Sequence, residues 1–301
     1  MEELFSSRLL MMMLISRLCF VELSLAETNK RPTGDRSSAV AASCPAPKPC
    51  ECERTTDRLV LNCRQHDLNQ VPTFSHSDEI VDELTLAKNR LVTLPNDAFR
   101  GLTVRRLDLS ENQLVSIAPA AFRGLEARLE ELLVQLNGTA VFPSEAVAPL
   151  TRLRVLNVIG YGRTSSLPNG ALASLGLVQE LRLTDGGLRG LLPTDVTAMR
   201  VSLSVISLSN NPLGRVPTAA LSTLSNVTQV HLSGCQIARL DARAFATNWT
   251  RLKLIDLSHN QLEVGAGRII TLVVTFGKNV PDIFVNLLTC YITLETFTVQ
   301  T

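Results

Sequence analysis

A ladder of aliphatic residues recurs about every 24 residues along most of this chain. Its clearest copy is Leu84-x-Leu86-x-x-Asn89-x-Leu91-x-x-Leu94-Pro95, followed by Leu107-x-Leu109-x-x-Asn112-x-Leu114-x-x-Ile117. Later copies are Ile206-x-Leu208-x-x-Asn211-x-Leu213-x-x-Val216-Pro217 and Ile255-x-Leu257-x-x-Asn260-x-Leu262. A unit this short cannot bury a core within itself. Units must stack, and stacking produces a solenoid with one long face. An ordinary leucine-rich helical protein would need a 3.6-residue period, which these segments lack.

The register continues through weaker copies. The asparagine position falls at Asn89, Asn112, Asn137, Tyr161, Gly186, Asn211, Cys235 and Asn260, in steps of 23, 25, 24, 25, 25, 24 and 25 residues. The leading aliphatic pairs run Leu84/Leu86, Leu107/Leu109, Leu132/Val134, Leu156/Val158, Leu181/Leu183, Ile206/Leu208, Val230/Leu232 and Ile255/Leu257. Upstream, Leu61-x-Cys63, Leu68 and Val71-Pro72 fit the same frame as a leading unit. Alternation makes each pair a short strand with both aliphatics inward. Neighbouring copies then pair in parallel, about 4.8 Å apart. The asparagine amide is suited to satisfy turn backbone groups that no strand ladder serves. Behind the strands, Phe99, Phe122 and Phe245 recur at one position and predict a stacked spine. Leu102, Leu125, Leu150, Leu175 and Leu224 close successive coils.

Residues 44–264 resemble the extracellular leucine-rich repeat family of the 24-residue type, whose back reads Pro-x-x-Ala-Phe-x-x-Leu, as in Pro95 to Leu102. The resemblance implies an α/β fold: a right-handed horseshoe solenoid with a concave parallel β-sheet and short turn or 3₁₀ segments on the convex side. Cys235 is a substitute that the family uses at the asparagine position. Tyr161 and Gly186 are not, so their units are expected to be locally irregular.

Seven cysteines are present, four of them clustered as Cys44-x5-Cys50-x-Cys52-x10-Cys63. A first coil without a cover would expose its leucines to water. The cluster resembles the N-terminal cysteine cap of secreted leucine-rich repeat proteins. Four cysteines allow three pairings, and the family pattern implies Cys44–Cys52 and Cys50–Cys63. A zinc site has poor spacing here and suits a different compartment. Secretion is also indicated at the start of the chain. Arg8, the apolar run Leu9 to Ile15 and Ser24-Leu25-Ala26 predict a signal peptide over residues 1–26, although Arg17 and Glu22 interrupt it. A short signal anchor is the competing reading. Polar residues 27–43 read as a disordered lead-in, residues 44–72 as the cap, and residues 73–264 as about eight repeats.

Three acceptor tripeptides for N-linked sugar occur: Asn137-Gly-Thr139, Asn226-Val-Thr228 and Asn248-Trp-Thr250. Asn226 and Asn248 precede strands in the convex return and are expected to carry glycans. Asn137 holds a ladder position, so its amide is expected to turn inward and carry little or none.

The register also nominates a binding face. Most outward strand residues are small or polar, but Leu133, Leu136 and Ile159 form an apolar centre. Asp108 and Glu111 border it on one side, Arg182 and Asp185 on the other. Such a patch fits a protein interface; the other reading is that irregular repeats displace these residues into the core. His231, Asp256 and His259 come from adjacent coils, and solvated side chains explain them better than a metal or acid/base site. No glycine-rich phosphate loop, serine elbow or second His/Cys cluster occurs. The chain reads as a binding protein without catalysis or cofactor. A formal charge of +1 argues against a dedicated nucleic-acid partner.

The ladder stops at Gly265-Ala266-Gly267, and residues 265–301 form a divergent tail rich in Val, Ile, Thr and Phe. Its apolar runs are shorter than the 18 or so residues of a membrane span. The abrupt change reads as the premature end of a longer receptor after Val264. Strands covering the last coil, or a divergent cap, are the other readings. Together these features predict extracellular protein recognition by the ectodomain, or a fragment, of an adhesion or signalling receptor. A secreted matrix-organising protein is the alternative.

Overall fold

The computed structural model describes residues 44–240, 251–264, 267–269 and 273–275. The signal peptide and lead-in, Phe245, Asn248 and most of the tail lie outside these described residues.

The strands are β1 (Glu51–Arg54), β2 (Leu59–Asn62), β3 (Ile80–Thr85), β4 (Thr93–Leu94), β5 (Thr103–Leu114), β6 (Ser116–Ile117), β7 (Glu131–Leu136), β8 (Val155–Ile159), β9 (Glu180–Thr184), β10 (Val205–Ser207), β11 (Gln229–His231), β12 (Leu254–Asp256), β13 (Leu262–Val264), β14 (Gly267–Ile269) and β15 (Val273–Thr275). Among the described residues, one eleven-stranded sheet runs β1-β2-β3-β5-β7-β8-β9-β10-β11-β12-β15. Its strands are parallel from β2 to β12. Leu61, Leu84, Leu107, Leu132, Leu156, Leu181, Ile206, Val230 and Ile255 are partners in that order, which is the register of the sequence ladder. Each leading aliphatic pair is buried, none of its residues more than 2% exposed. The return segments contain short helices, α1 (Ser144–Val147), α2 (Pro193–Val196) and α3 (Thr218–Leu221), with one 3₁₀ turn at Thr197–Met199. Phe99 and Phe122 stack behind the sheet at 6.0 Å with planes 8° apart. The coil-closing leucines are likewise buried. The architecture is a leucine-rich-repeat-type parallel-sheet solenoid.

Among the described residues, the outermost strands of the sheet, β1 and β15, are both antiparallel to their neighbours. At the start, β1 and β2 form a hairpin carrying disulfides Cys44–Cys52 and Cys50–Cys63. Cys50, Leu59, Leu61 and Cys63 are buried there. Replacing Cys50 and Cys63 together by alanine should cost about 2–4 kcal/mol, read as a lower urea midpoint. An unchanged midpoint would show that the hairpin holds without its inner bridge. At the other end, β14 pairs with β13 and β15 with β12, both antiparallel. For these residues, the tail therefore adds strands to the last coil.

The asparagine ladder explains how the turns are satisfied. Asn89 Nδ2 donates to the Cys63 and Leu86 carbonyls at 2.7 and 2.8 Å, and its Oδ1 accepts from the His66 and Leu68 amides at 3.0 Å each. Asn260 repeats this on the Leu232 and Leu257 carbonyls and the Cys235 and Ile237 amides. Asn112 and Asn211 likewise each donate to two carbonyls, while their Oδ1 atoms accept from one amide apiece, Leu91 and Leu188. Cys235 supplies a thiol donor instead, at 3.1 Å from the Leu208 carbonyl. Burial pushes that thiol up to about 11, so it stays protonated and unreactive at neutral pH.

Two features depart from the expected ladder. The residue before the asparagine position has a left-handed backbone in seven units: Lys88, Glu111, Gly160, Asp185, Asn210, Gly234 and His259. Leu136 holds that position in the eighth. It remains in β7, because a bulky side chain meets its own backbone in the left-handed region. The strand therefore runs one residue further. Leu136 turns inward and is 4% exposed, correcting its assignment to the outer face. Asn137 turns outward and is half-buried, correcting its expected inward amide. Gly160 follows from the same change: a Cβ there would lie 2.2 Å from the Leu136 carbonyl oxygen.

The second departure is an exchange between units. Tyr161 fills the interior, 0% exposed, with its ring edge-on to Phe142 at 5.9 Å. Its hydroxyl donates to Asn211 Oδ1 at 3.2 Å, fifty residues away. Gly186, in the intervening unit, leaves the room, since a Cβ there would lie 2.3 Å from Tyr161 Cε2 and Cζ. These units are irregular in composition but keep the strand register across β8, β9 and β10.

Candidate functional site

Alternation along the strands places three outward columns on the open face of the sheet. The first contains Glu83, Arg106, Glu131, Val155, Glu180, Val205 and Gln229. The second contains Thr85, Asp108, Leu133, Asn157, Arg182, Ser207, His231 and Asp256. In the third, Gln135, Ile159 and Thr184 face one another across β7, β8 and β9.

The centre of this face is apolar. Leu133 on β7 and Val155 and Ile159 on β8 are half-buried. They surround Asn157, which pairs in register with Leu133 on one side and Arg182 on the other. Asn157 Oδ1 is shielded from solvent and has no hydrogen-bond partner among the described residues. A buried acceptor without a donor costs free energy, so a donor brought by a partner would be favoured there once the amide turns to meet it.

Charges frame the centre. Arg106 reaches Glu131 on one neighbouring strand at 2.6 Å and Glu83 on the other at 3.8 Å. The hydrogen bond that Arg106 donates to Glu131 is the main cause that raises its guanidinium above its ordinary value. Asp108 accepts from the Ser110 amide at 2.9 Å. Arg182 lies beside Glu180, Nε to Oε1 2.5 Å. Glu111, near the end of β5, and Asp185, just past β9, both have left-handed backbones. Glu111 is paired with Arg64 at 3.1 Å and Lys88 at 3.6 Å, while Asp185 accepts from Asn210 Nδ2 at 3.0 Å.

The structure thus brings Asp108, Leu133, Ile159 and Arg182 onto four adjacent strands and keeps Glu111 and Asp185 at the margin. It removes Leu136 to the core. The first column, with Val155 and the Glu83–Arg106–Glu131 chain of charges, was missing from the sequence-derived face. Its signal was the same alternation, extended one residue upstream of each Leu-x-Leu pair. His231 and Asp256 do meet, Nδ1 to Oδ2 3.9 Å. The neighbouring His231 ring is the first cause that lowers the Asp256 carboxyl to about 2. His259 is exposed in its own turn, and no group of three or more metal-ligating side chains occurs among the described residues. Asn226 is half-buried, and its Nδ2 donates to the Val201 carbonyl. No helix among the described residues is long and apolar enough to cross a membrane.

Residues 81–127 match the family described as Leucine rich repeat. They cover β3 to β6 and the returns behind them, where the ladder is most regular. No curated protein matches the chain. The matched segment, with the same register carried on through β12, supports leucine-rich repeats stacked in a parallel-sheet solenoid, a scaffold suited to binding other proteins.

Proposed function

We propose that the open face binds an extracellular or cell-surface protein, and that the chain acts as the ligand-binding ectodomain, or a fragment of one, of an adhesion or signalling receptor. The observation that carries this reading is the half-buried cluster Leu133, Val155 and Ile159 around the unpartnered Asn157, set between charged side chains. An apolar centre with a polar rim is the anatomy of a protein interface. Residues 108 and 111 on one flank and 182 and 185 on the other add charge pattern, which governs orientation and partner choice more than affinity. The extracellular placement is supported by the two disulfides, which persist in oxidising compartments. It is supported also by the signal-peptide pattern of residues 1–26 and by sequons at Asn226 and Asn248, which we assign as glycan acceptors.

The test separates face from core. The secreted chain, displayed as a multivalent probe, is screened against arrayed cell-surface and matrix proteins. Leu133→Asp and Ile159→Asp should weaken capture of the protein it selects by about thirtyfold, the effect of a 2 kcal/mol hot spot, with secretion unchanged. Leu136→Asp should abolish secretion, because it places a carboxylate in the core. Undiminished capture by both face variants would sink the proposed face. Selection of an abundant fibre-forming component would favour the matrix role over the receptor role.

A further inference from the structure

The geometry points to Asn137 as an acceptor for N-linked sugar, in addition to Asn226 and Asn248; this rests on the extracellular reading above. In the coils of Asn89, Asn112, Asn211 and Asn260 the amide nitrogen is consumed by main-chain carbonyls. The extended Leu136 frees Asn137 from that role. Its Oδ1 accepts from the Thr139 amide at 3.0 Å and the Thr139 hydroxyl at 3.1 Å, whereas its Nδ2 donates to none of the described residues. The acceptor side of the amide is thus held by its own tripeptide, and the nucleophilic side is left open.

Space and accessibility agree. Gly138 and Thr139 are exposed, and a Cβ built on Gly138 meets no heavy atom within 4 Å. At Asn226 the situation differs. Its Nδ2 donates to the Val201 carbonyl, and the Thr228 hydroxyl donates to the Ser204 carbonyl at 3.0 Å. A sugar on Asn226 leaves one N–H that must still serve the Val201 carbonyl, while on Asn137 no such contact constrains Nδ2. Attachment joins Nδ2 to the anomeric carbon of an oligosaccharide carried on a lipid pyrophosphate. The bond from that carbon to the pyrophosphate oxygen breaks, the lipid pyrophosphate leaves, and Nδ2 loses one proton to the base of the transferring enzyme. Asn137 directly follows β7, the strand that carries Leu133. The sugar would therefore stand at the margin of the apolar patch and limit approach of a partner from that edge.

The full chain, made in animal cells, is treated with an N-glycosidase in heavy-oxygen water, which marks every formerly glycosylated asparagine as labelled aspartate. Label is expected at Asn137. Asn137→Gln should lower the apparent mass by one glycan and leave the chain in the medium. Thr139→Ala should remove the same label without altering Asn137. Label at Asn226 or Asn248 without label at Asn137 overturns this site and leaves the extracellular reading standing. No label anywhere, with the chain retained in the cytosol, overturns both. Label that survives Thr139→Ala overturns sequon-dependent attachment at Asn137.

Discussion

Replacing Gly186 by asparagine, the residue that would complete the ladder on paper, should destabilise the solenoid. A Cβ at position 186 would lie 2.3 Å from two ring carbons of Tyr161 and 2.7 Å from Asn211 Oδ1. The ring has little room to yield. It is fully buried, lies edge-on to Phe142 and bonds through its hydroxyl to Asn211. Burial also pushes the phenol well above its ordinary value, so it remains a donor at any ordinary pH. Forcing atoms into a packed core costs about 1–3 kcal/mol. Removing the ring instead, by Tyr161→Ala, leaves a cavity and should cost about 3–5 kcal/mol. The informative variant is the pair Tyr161→Asn with Gly186→Asn, which restores a small polar residue to both units. Because the residues occupy one volume, the pair should recover about 1–3 kcal/mol relative to the sum of the single changes. Urea midpoints give the cycle, and amide exchange in β8, β9 and β10 tells local fraying from global loss, since stacked repeats need not unfold in one step. A Gly186→Asn midpoint at or above that of the parent would show that the ring moves aside cheaply.

This exchange marks the limit of what the ladder revealed. Strand register was legible because period-2 alternation fixes which face each residue takes, and a one-residue slip would expose a whole aliphatic set. Eight copies at nearly constant spacing over-determine it, so even the units of Tyr161 and Gly186 align. The disulfide pairing followed from resemblance, as four cysteines alone left three choices. The Tyr161–Gly186 complementarity was harder, because it joins residues in different units. Its trace was one oversized and one absent side chain in neighbouring places of the same column. The inward turn of Leu136 was invisible for another reason. It depends on whether one residue adopts a left-handed backbone, and the residues that do so here are as varied as Lys88, Gly160 and His259. No single identity announces the turn, although a large aliphatic among polar residues and glycines argues against it. Asn157 had no signal at all, since its isolation arises from the side chains around it.

The same distinction should separate two asparagines that the repeat pattern treats as equivalent. Asn211→Ala should cost about 3–5 kcal/mol, and Asn137→Ala less than about 0.5 kcal/mol. Asn211 is 1% exposed. Its Nδ2 donates to the Leu183 and Leu208 carbonyls at 2.8 Å each, and its Oδ1 accepts from the Leu188 amide at 3.1 Å and the Tyr161 hydroxyl at 3.2 Å. Truncation strands up to four buried polar groups, each costing about 1–3 kcal/mol if water does not reach it; partial hydration brings the total below the sum. Asn211→Asp keeps the shape but loses both donors and buries a charge, so it should be no milder than alanine. Asn137 is half-buried, and its bonds close only a local turn with Thr139. Alanine there leaves exposed groups that water satisfies. Both variants are compared with the parent by urea unfolding after enzymatic removal of any sugar, so that loss of a glycan does not enter the difference. Equal costs at the two positions would mean that Asn137 turns inward after all. The extended Leu136, the corrected outer face and the acceptor role of Asn137 would then fail together, because all three follow from that one backbone conformation.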